Sequence, residues 1–414
     1  MKQQLDKIMH ERGIDALFVT GTASHNPSMY YFTGPAHMTG DLIKVRDCTP
    51  VLYYNPMERE EAARAAARSG MQTKNLADYN FRELLNQVDG DYLKASILRY
   101  KKMFEEQNLT SGRVVMYGKV DIGSIVALVN GLQSALPDLN FTGEMNDSLL
   151  LEAMSTKDDD EVERIRKMGE ITTWVVGQTA DFLTSHAVRD EVLVKGDGSP
   201  LRIGDVKKKI NLWLMERGAE NPEGTIFSIG RDAGVPHNSG NEEDLLRMGQ
   251  TIVYDIYPCE AGGGYFYDFT RTWCLGYAPD PVQALYQDVY EVYQKVMGEL
   301  KVNALCSEYQ KLTCDLFEAK GHPTVQSNPA IQEGYVHSLG HGLGLRVHEK
   351  PAFSQLAAEK DRLYPGTVIT VEPGLYYPER GMGVRLEDTV HVRADGKIEV
   401  LAEYPLDLVL PLKG

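Results

Sequence analysis

Hydrophobic positions along this chain recur at spacings of three and four in some segments and run unbroken in others, which predicts helices alternating with strands. Leu5, Ile8 and Met9 share one face of an amphipathic helix over residues 3–13, which leads through Gly13 into the apolar strand DALFVTG. Further strands are expected at SMYYFTG and TPVLYY, followed by a helix over MEREEAARAAARSG that stops at Gly70. A helical stretch from Phe81 towards Leu109, the strand RVVMYG, the helix IGSIVALVNGLQSAL and the strand LNFTGEM complete an α/β layer.

The segment STKDDDEVERIRKMGE marks a boundary, giving domains over residues 1–154 and 155–414. Ser155 or Thr156, with the acidic run Asp158 to Asp160, reads as the start of a long helix along which Val162, Ile165, Met168, Ile171 and Val175 repeat. The acidic run is thus a helix N-terminus rather than a ligand site. Next come the helix IGDVKKKINLWLMERG, the strand TIFSIG, the loop RDAGVPHNSG and an acidic hairpin. The order then recurs. Asp280 as N-cap and Pro281 open one helix, Ser307 and Gln310 form a capping box for another, and a His-rich extended region leads to a second acidic hairpin.

The hairpins carry the chemistry. Asp255 and Asp268 lie equally far from the junction of Ala261 and Gly262, so a chain folded back there sets them opposite each other, Cβ atoms roughly 5 Å apart. Glu372 and Glu387 are placed in the same way about Glu379 and Arg380. Two ionised carboxylates that close repel, so a proton or a cation must lie between them. Two such pairs predict a binuclear metal site. Between the hairpins, HSLGHGLGLRVHEKP offers His337, His341 and His348. The first two have the spacing of a helical zinc site, but Ser338 stands where that motif needs a Glu. Gly340, Gly342 and Gly344 favour an extended segment with one His turned to the metals.

Composition narrows the partners. A chain of 414 residues, 43% hydrophobic and 25% charged, is that of a soluble globular protein with room for two domains. Its formal net charge of −16 disfavours nucleic acid or an anionic membrane as partner. The five cysteines show no C-x-x-C spacing, and no apolar run is long enough for a membrane span or signal peptide, so a cytoplasmic protein is expected.

These residues resemble the pita-bread metallopeptidases, the group of proline dipeptidase, Xaa-Pro aminopeptidase and methionine aminopeptidase. That family's ligands run Asp, Asp, His, Glu, Glu, and the matching positions are Asp255, Asp268, His341, Glu372 and Glu387. The strings DFTRT, GHGLGL, VEPGLY and GVRLEDTV are similar to the family's own over residues 155–414, and the first domain is similar to the creatinase-type N-terminal domain. The resemblance implies an α/β N-terminal domain plus an α+β pita-bread catalytic domain. It implies two divalent metal ions, manganese first, with cobalt, iron and zinc compatible with the same donors. The activity implied is hydrolysis of Xaa-Pro bonds in short proline-containing peptides, by a dipeptidase or an aminopeptidase acting as a homodimer.

By the same resemblance Glu372 shuttles the proton, His237 and His348 contact substrate or the tetrahedral intermediate, and His337 lines the proline pocket. Arg385, two residues before Glu387 and so on the same strand face, is expected to orient ligand carboxylates. Two departures stand out. The segment from Asp255 to Asp268 is longer than the family's usual spacing, and the loop GRDAGVPHNSG differs from the family's. The scaffold also carries a lyase and other C–N hydrolases, and catalytically inactive binding modules, although the last lack the complete ligand set.

Overall fold

The computed structural model describes residues 4–354 and 359–412. The chain divides into two compact units, Met1–Met154 with Gly262–Gly264, and Ser155–Ala261 with Tyr265–Gly414.

In the first unit six strands form one sheet, in the order Gln72–Asn75, Val51–Tyr54, Thr39–Val45, Ala16–Thr22, Gly112–Lys119, Leu139–Thr142. Ala16–Thr22 is central, antiparallel to Thr39–Val45 and parallel to Gly112–Lys119. Ala16, Leu17, Phe18 and Val19 are wholly buried, which explains the unbroken apolar run of a strand covered on both faces. SMYYFTG is a helix, Pro27–Thr33, and not the expected strand. Asn26 caps it by accepting from the Met29 N–H, and Pro27 fits the first turn. These end signals override the strand preference of its aromatic residues. The stretch from Phe81 is two helices, Phe81–Gln87 and Tyr92–Glu106, because Asp91 caps the second by accepting from Lys94 N–H.

The second unit opens on the helix Asp159–Thr184. Its cap is Asp158, in a reciprocal capping box with Glu161, so Ser155 and Thr156 precede the cap instead of forming it. Val162, Ile165, Met168 and Val175 are buried as the periodicity predicts, and Ile171 is half-buried. Helices Asp159–Thr184 and Ile203–Glu216 precede a four-stranded sheet ordered Thr225–Ile229, Thr251–Ile256, Phe269–Leu275, Val409–Leu410. Helices Asp280–Glu299 and Cys306–Ala319 precede a five-stranded sheet ordered Glu349–Ala352, His341–Gly342, Val368–Val371, Asp388–Val392, Ile398–Val400. Val289, Val292 and Val296 of one helix share a core cluster with Ile369, Val371 and Val390 of that sheet.

Two helix starts differ from expectation. Pro279, not Asp280, is the N-cap of Asp280–Glu299. The Ser307–Gln310 capping box does not form, because the helix begins at Cys306 behind Leu305 and Gln310 turns into the core. There its Oε1 accepts from Leu339 N–H at 2.6 Å and Tyr335 O–H at 3.1 Å, and its Nε2 donates to the His337 carbonyl at 3.3 Å. Among the described residues no helix is long and apolar enough to cross a membrane.

Candidate metal centre

Strand register brings the acidic residues together. The strands Thr251–Ile256 and Phe269–Leu275 pair antiparallel with Asp255 opposite Thr270, so the two aspartates do not face each other directly. Two residues out of step, Asp268 stands diagonally from Asp255 on the same face. The turn is the cause. The same register continues through Cys259 opposite Phe266, so the chain reverses between Gly262 and Gly263, both at positive φ, one residue beyond the expected junction. The glutamates behave as their symmetry predicts. Val371 faces Asp388 and Gly374 faces Arg385, which puts Glu372 opposite Glu387 where one ladder gives way to the other.

Thr270 ties the two halves. It pairs with Asp255 on one side and bridges to Glu387 on the other, where Glu387 N–H donates to the Thr270 carbonyl at 3.1 Å. Its hydroxyl donates to Glu387 Oε2 at 2.6 Å and accepts from Arg385 Nε at 3.2 Å.

His341 enters on the short strand His341–Gly342, extended as its glycines imply. A Cβ at Gly340 would lie 2.1 Å from the Thr370 carbonyl oxygen, and one at Gly342 would lie 2.0 Å from that of Lys350. Only glycines on both sides let this backbone lie so close to its neighbours. His341 N–H donates to Thr370 Oγ1 at 3.1 Å, and the Thr370 hydroxyl is 3.5 Å from Glu372 Oε1. The ring is set by its Nδ1, 3.1 Å from the Gly342 carbonyl, an arrangement that puts the proton on Nδ1 and leaves Nε2 a bare acceptor. That Nε2 is 3.4 Å from Glu372 Oε1 and 3.6 Å from Asp268 Oδ2.

Three acceptors pointing at one another need a proton or a cation between them. Burial holds the His341 imidazole down to about 3, with His348 adding to the effect, so at neutral pH it cannot supply the positive charge itself. Burial pushes the Glu372 carboxyl up to about 8. It also raises Asp268 and Glu387 well above the carboxylate range, and the other site carboxylates add to the rise. Asp255 Oδ1, Asp268 Oδ1 and Glu387 Oε1 are buried oxygens without a hydrogen-bond partner. Ligand atoms of Asp268, His341 and Glu387 lie within 4.8 Å of one another. Orphaned hard oxygens around one neutral imidazole fit divalent cations of the manganese-to-zinc series.

All five residues line a pocket of about 610 Å³, and His237, His337, His348 and Arg385 line the same pocket. Arg385 is 2% exposed; its Nη2 donates to Asp255 Oδ2 at 2.6 Å and its Nη1 donates to the Tyr376 hydroxyl at 2.8 Å. The Tyr376 oxygen is in turn 2.8 Å from His337 Nε2. Burial, and then the Arg385 charge, hold His337 neutral down to about 3. The His348 ring meets that of His341 edge-on at 4.3 Å. The His237 loop packs tightly on the second hairpin, where a Cβ at Gly383 would lie 1.9 Å from the Ala233 carbonyl oxygen.

Thr270, Thr370, Tyr376 and Gln310 were not singled out by sequence as site residues, although Thr270 and Thr370 lie two residues from Asp268 and Glu372. That spacing on a strand is the signal that could have found them.

Residues 163–394 match Metallopeptidase family M24, and residues 2–139 match the Creatinase/Prolidase N-terminal domain. The chain belongs to metallopeptidase family M24. As an M24 member it is similar over its whole length to the Xaa-Pro dipeptidase of Pyrococcus furiosus, 25% identical over 407 residues that cover 96% of this chain and 97% of the relative. The M24 fold extends equally far. A dipeptidase structure from Pyrococcus horikoshii superimposes with a TM-score of 0.73 at 20% identity, covering 98% of this chain and 99% of that one. An X-Pro aminopeptidase structure from Thermotoga maritima does so with a TM-score of 0.72 at 22% identity, covering 97% and 99%. The fold is therefore a creatinase-type N-terminal domain with a pita-bread catalytic domain, and the protein is a metallopeptidase whose family uses divalent metal ions.

Proposed function

We propose that this M24 enzyme hydrolyses the peptide bond before proline in short peptides. The observation that carries the reading is the cage of Asp255, Asp268, Glu372 and Glu387 around the neutral His341, with three buried carboxylate oxygens left unpartnered. The full-length similarity to an Xaa-Pro dipeptidase supplies the proline specificity and favours the dipeptidase form.

In this reading the five residues hold two divalent ions, and manganese is the metal we propose from the family resemblance, the oxygen-rich donor set being compatible with it. When bound, such ions supply Lewis-acid polarisation of a carbonyl and a water that is acidic near neutral pH. The chain does the rest. Glu372, whose Oε1 lies 3.5 Å from the Thr370 hydroxyl, takes a proton from the attacking water and returns it to the departing proline nitrogen. Arg385 fixes Asp255, and Thr270 fixes Glu387. His337, neutral and locked to Tyr376, presents a ring face to proline, while His237 and His348 face the scissile group from the same pocket.

We further place the enzyme in the cytoplasm as a homodimer. Cys48, Cys274, Cys306 and Cys314 are unbridged thiols, as a reducing compartment favours, and gel filtration at dimer mass is the expected result. The substrate reading is tested by proline release from Ala-Pro and Ala-Pro-Ala peptides with manganese-loaded protein. Cleavage of the dipeptide supports the dipeptidase form, release of alanine from longer peptides alone supports the aminopeptidase form, and silence on both contradicts the reading.

A further inference from the structure

One acidic group on the pocket wall stands outside the cage. Glu223 lines the same pocket as the five cage residues, yet it is exposed and forms no ion pair with a lysine or arginine among the described residues. The other wall carboxylate outside the cage, Glu349, is neutralised by Lys157 at 2.8 Å in a fully buried pair. Arg385, the only lysine or arginine of the described lining, is committed to Asp255 and Tyr376. The charge of Glu223 is therefore left to act on whatever enters.

Its position is fixed by the chain. Asn221, Pro222, Glu223 and Gly224 form a tight turn closed by Gly224 N–H donating to the Asn221 carbonyl at 3.3 Å, with proline at the position whose φ it presets. Asn221 Nδ2 donates to Thr225 Oγ1 and to Asn211 Oδ1, both at 2.9 Å, which pins the turn to the following strand and the helix before it. In that strand Ile226 pairs with Asp255, so the turn stands beside the first aspartate. Glu223 shares the pocket wall with Tyr257 and His348. His337, by contrast, is joined to Tyr376 and through it to Arg385. In the Xaa-Pro reading proline lies against His337, and we assign the preceding residue to the part of the same wall that carries Glu223.

We propose that Glu223 gives this enzyme a preference for a cationic side chain, lysine or arginine, on the residue ahead of proline. The assignment rests on the Xaa-Pro reading and adds to it the class of substrate. The α-amine is common to every Xaa-Pro substrate, so only the side chain can produce a difference between Lys-Pro and a neutral homologue of the same length. A partly exposed pair at the mouth of a low-dielectric pocket yields roughly a fivefold preference, weakened by salt.

The test compares kcat/KM of manganese-loaded protein on Lys-Pro, norleucine-Pro and Glu-Pro. Binding of uncleavable reduced-bond Lys-Pro and norleucine-Pro analogues is followed by calorimetry alongside. The expected ratio of Lys-Pro to norleucine-Pro is roughly five in the natural protein, near one in Glu223→Gln and below one in Glu223→Lys, with metal content unchanged. The same order is expected in the binding data, and the ratio falls towards one in about 0.5 M salt. A ratio of one in the natural protein, or one that survives Glu223→Gln, overturns the proposal while Ala-Pro cleavage leaves the Xaa-Pro reading standing. Equal losses on both peptides in Glu223→Gln would assign the carboxylate to the α-amine and also overturn it. Failure to cleave any Xaa-Pro peptide overturns the underlying reading itself.

Discussion

The Thr270 hydroxyl donates to Glu387 Oε2 at 2.6 Å while the Thr270 backbone joins Asp255 to Glu387 across three neighbouring strand positions. One residue that donates nothing to a metal thus sets the spacing of two that would. Thr270→Val keeps the shape and removes the hydroxyl. The expected outcome is a folded protein with metal affinity weakened by about 10- to 100-fold, read by competition with a fluorescent chelator. Unchanged affinity would leave the hydroxyl without a role in the cage.

His341 and Glu372 separate metal holding from proton transfer. His341→Ala is expected to lose both metal and activity. Glu372→Gln is expected to keep at least one ion and lower kcat by about 10²- to 10⁴-fold, measured by elemental analysis and proline release on the same samples. Full activity in either variant contradicts the assignment.

Stability of the metal-free protein should depend on pH in an unusual direction. Glu372 has a folded-state value of about 8 against an ordinary 4.5, so between those values the folded chain keeps a proton that the unfolded chain has released. Stability then falls as pH rises through that window, and Asp268 and Glu387, also raised, act with the same sign. His337, lowered from 6.5 to about 3, works the other way below 6.5, so the clean window is 6.5 to 8. In chelator, Tm should fall from the low to the high end of that window, and Glu372→Gln should flatten the slope. With saturating metal the slope should reverse, because cations compete with those protons.

Gln310 anchors the His337 segment from a helix that contributes nothing else to the site. Gln310→Ala leaves the Leu339 N–H buried without its partner, at a cost of about 1–3 kcal/mol in urea unfolding. Because His337 hangs from the same contact, KM should rise while metal content holds.

The site was legible in the sequence wherever spacing alone decides the geometry. Glu372 and Glu387 meet in the register that counting gives, and the glycines around His341 do accompany an extended backbone, which they let lie close to its neighbours. Counting failed at Asp255 and Asp268 because the reversal is set by the positive φ of Gly262 and Gly263, and not by the midpoint between two functional residues. SMYYFTG forms a helix in place of the expected strand because Asn26 and Pro27 cap and start one, against the strand preference of its aromatic residues. Gln310 reads locally as half of a capping box, and only tertiary packing shows it satisfying three groups of a distant segment. Tyr376 acts through His337 and Arg385, neighbours brought from a loop and another strand, which no one-dimensional pattern displays.

The most direct test of the account is a titration of metal-stripped protein with manganese, following Ala-Pro hydrolysis and bound metal together. The account predicts no activity without metal and a rise that levels off at two ions per chain. Hydrolysis by the stripped protein, or a plateau reached with no ion bound at the cage, would contradict it.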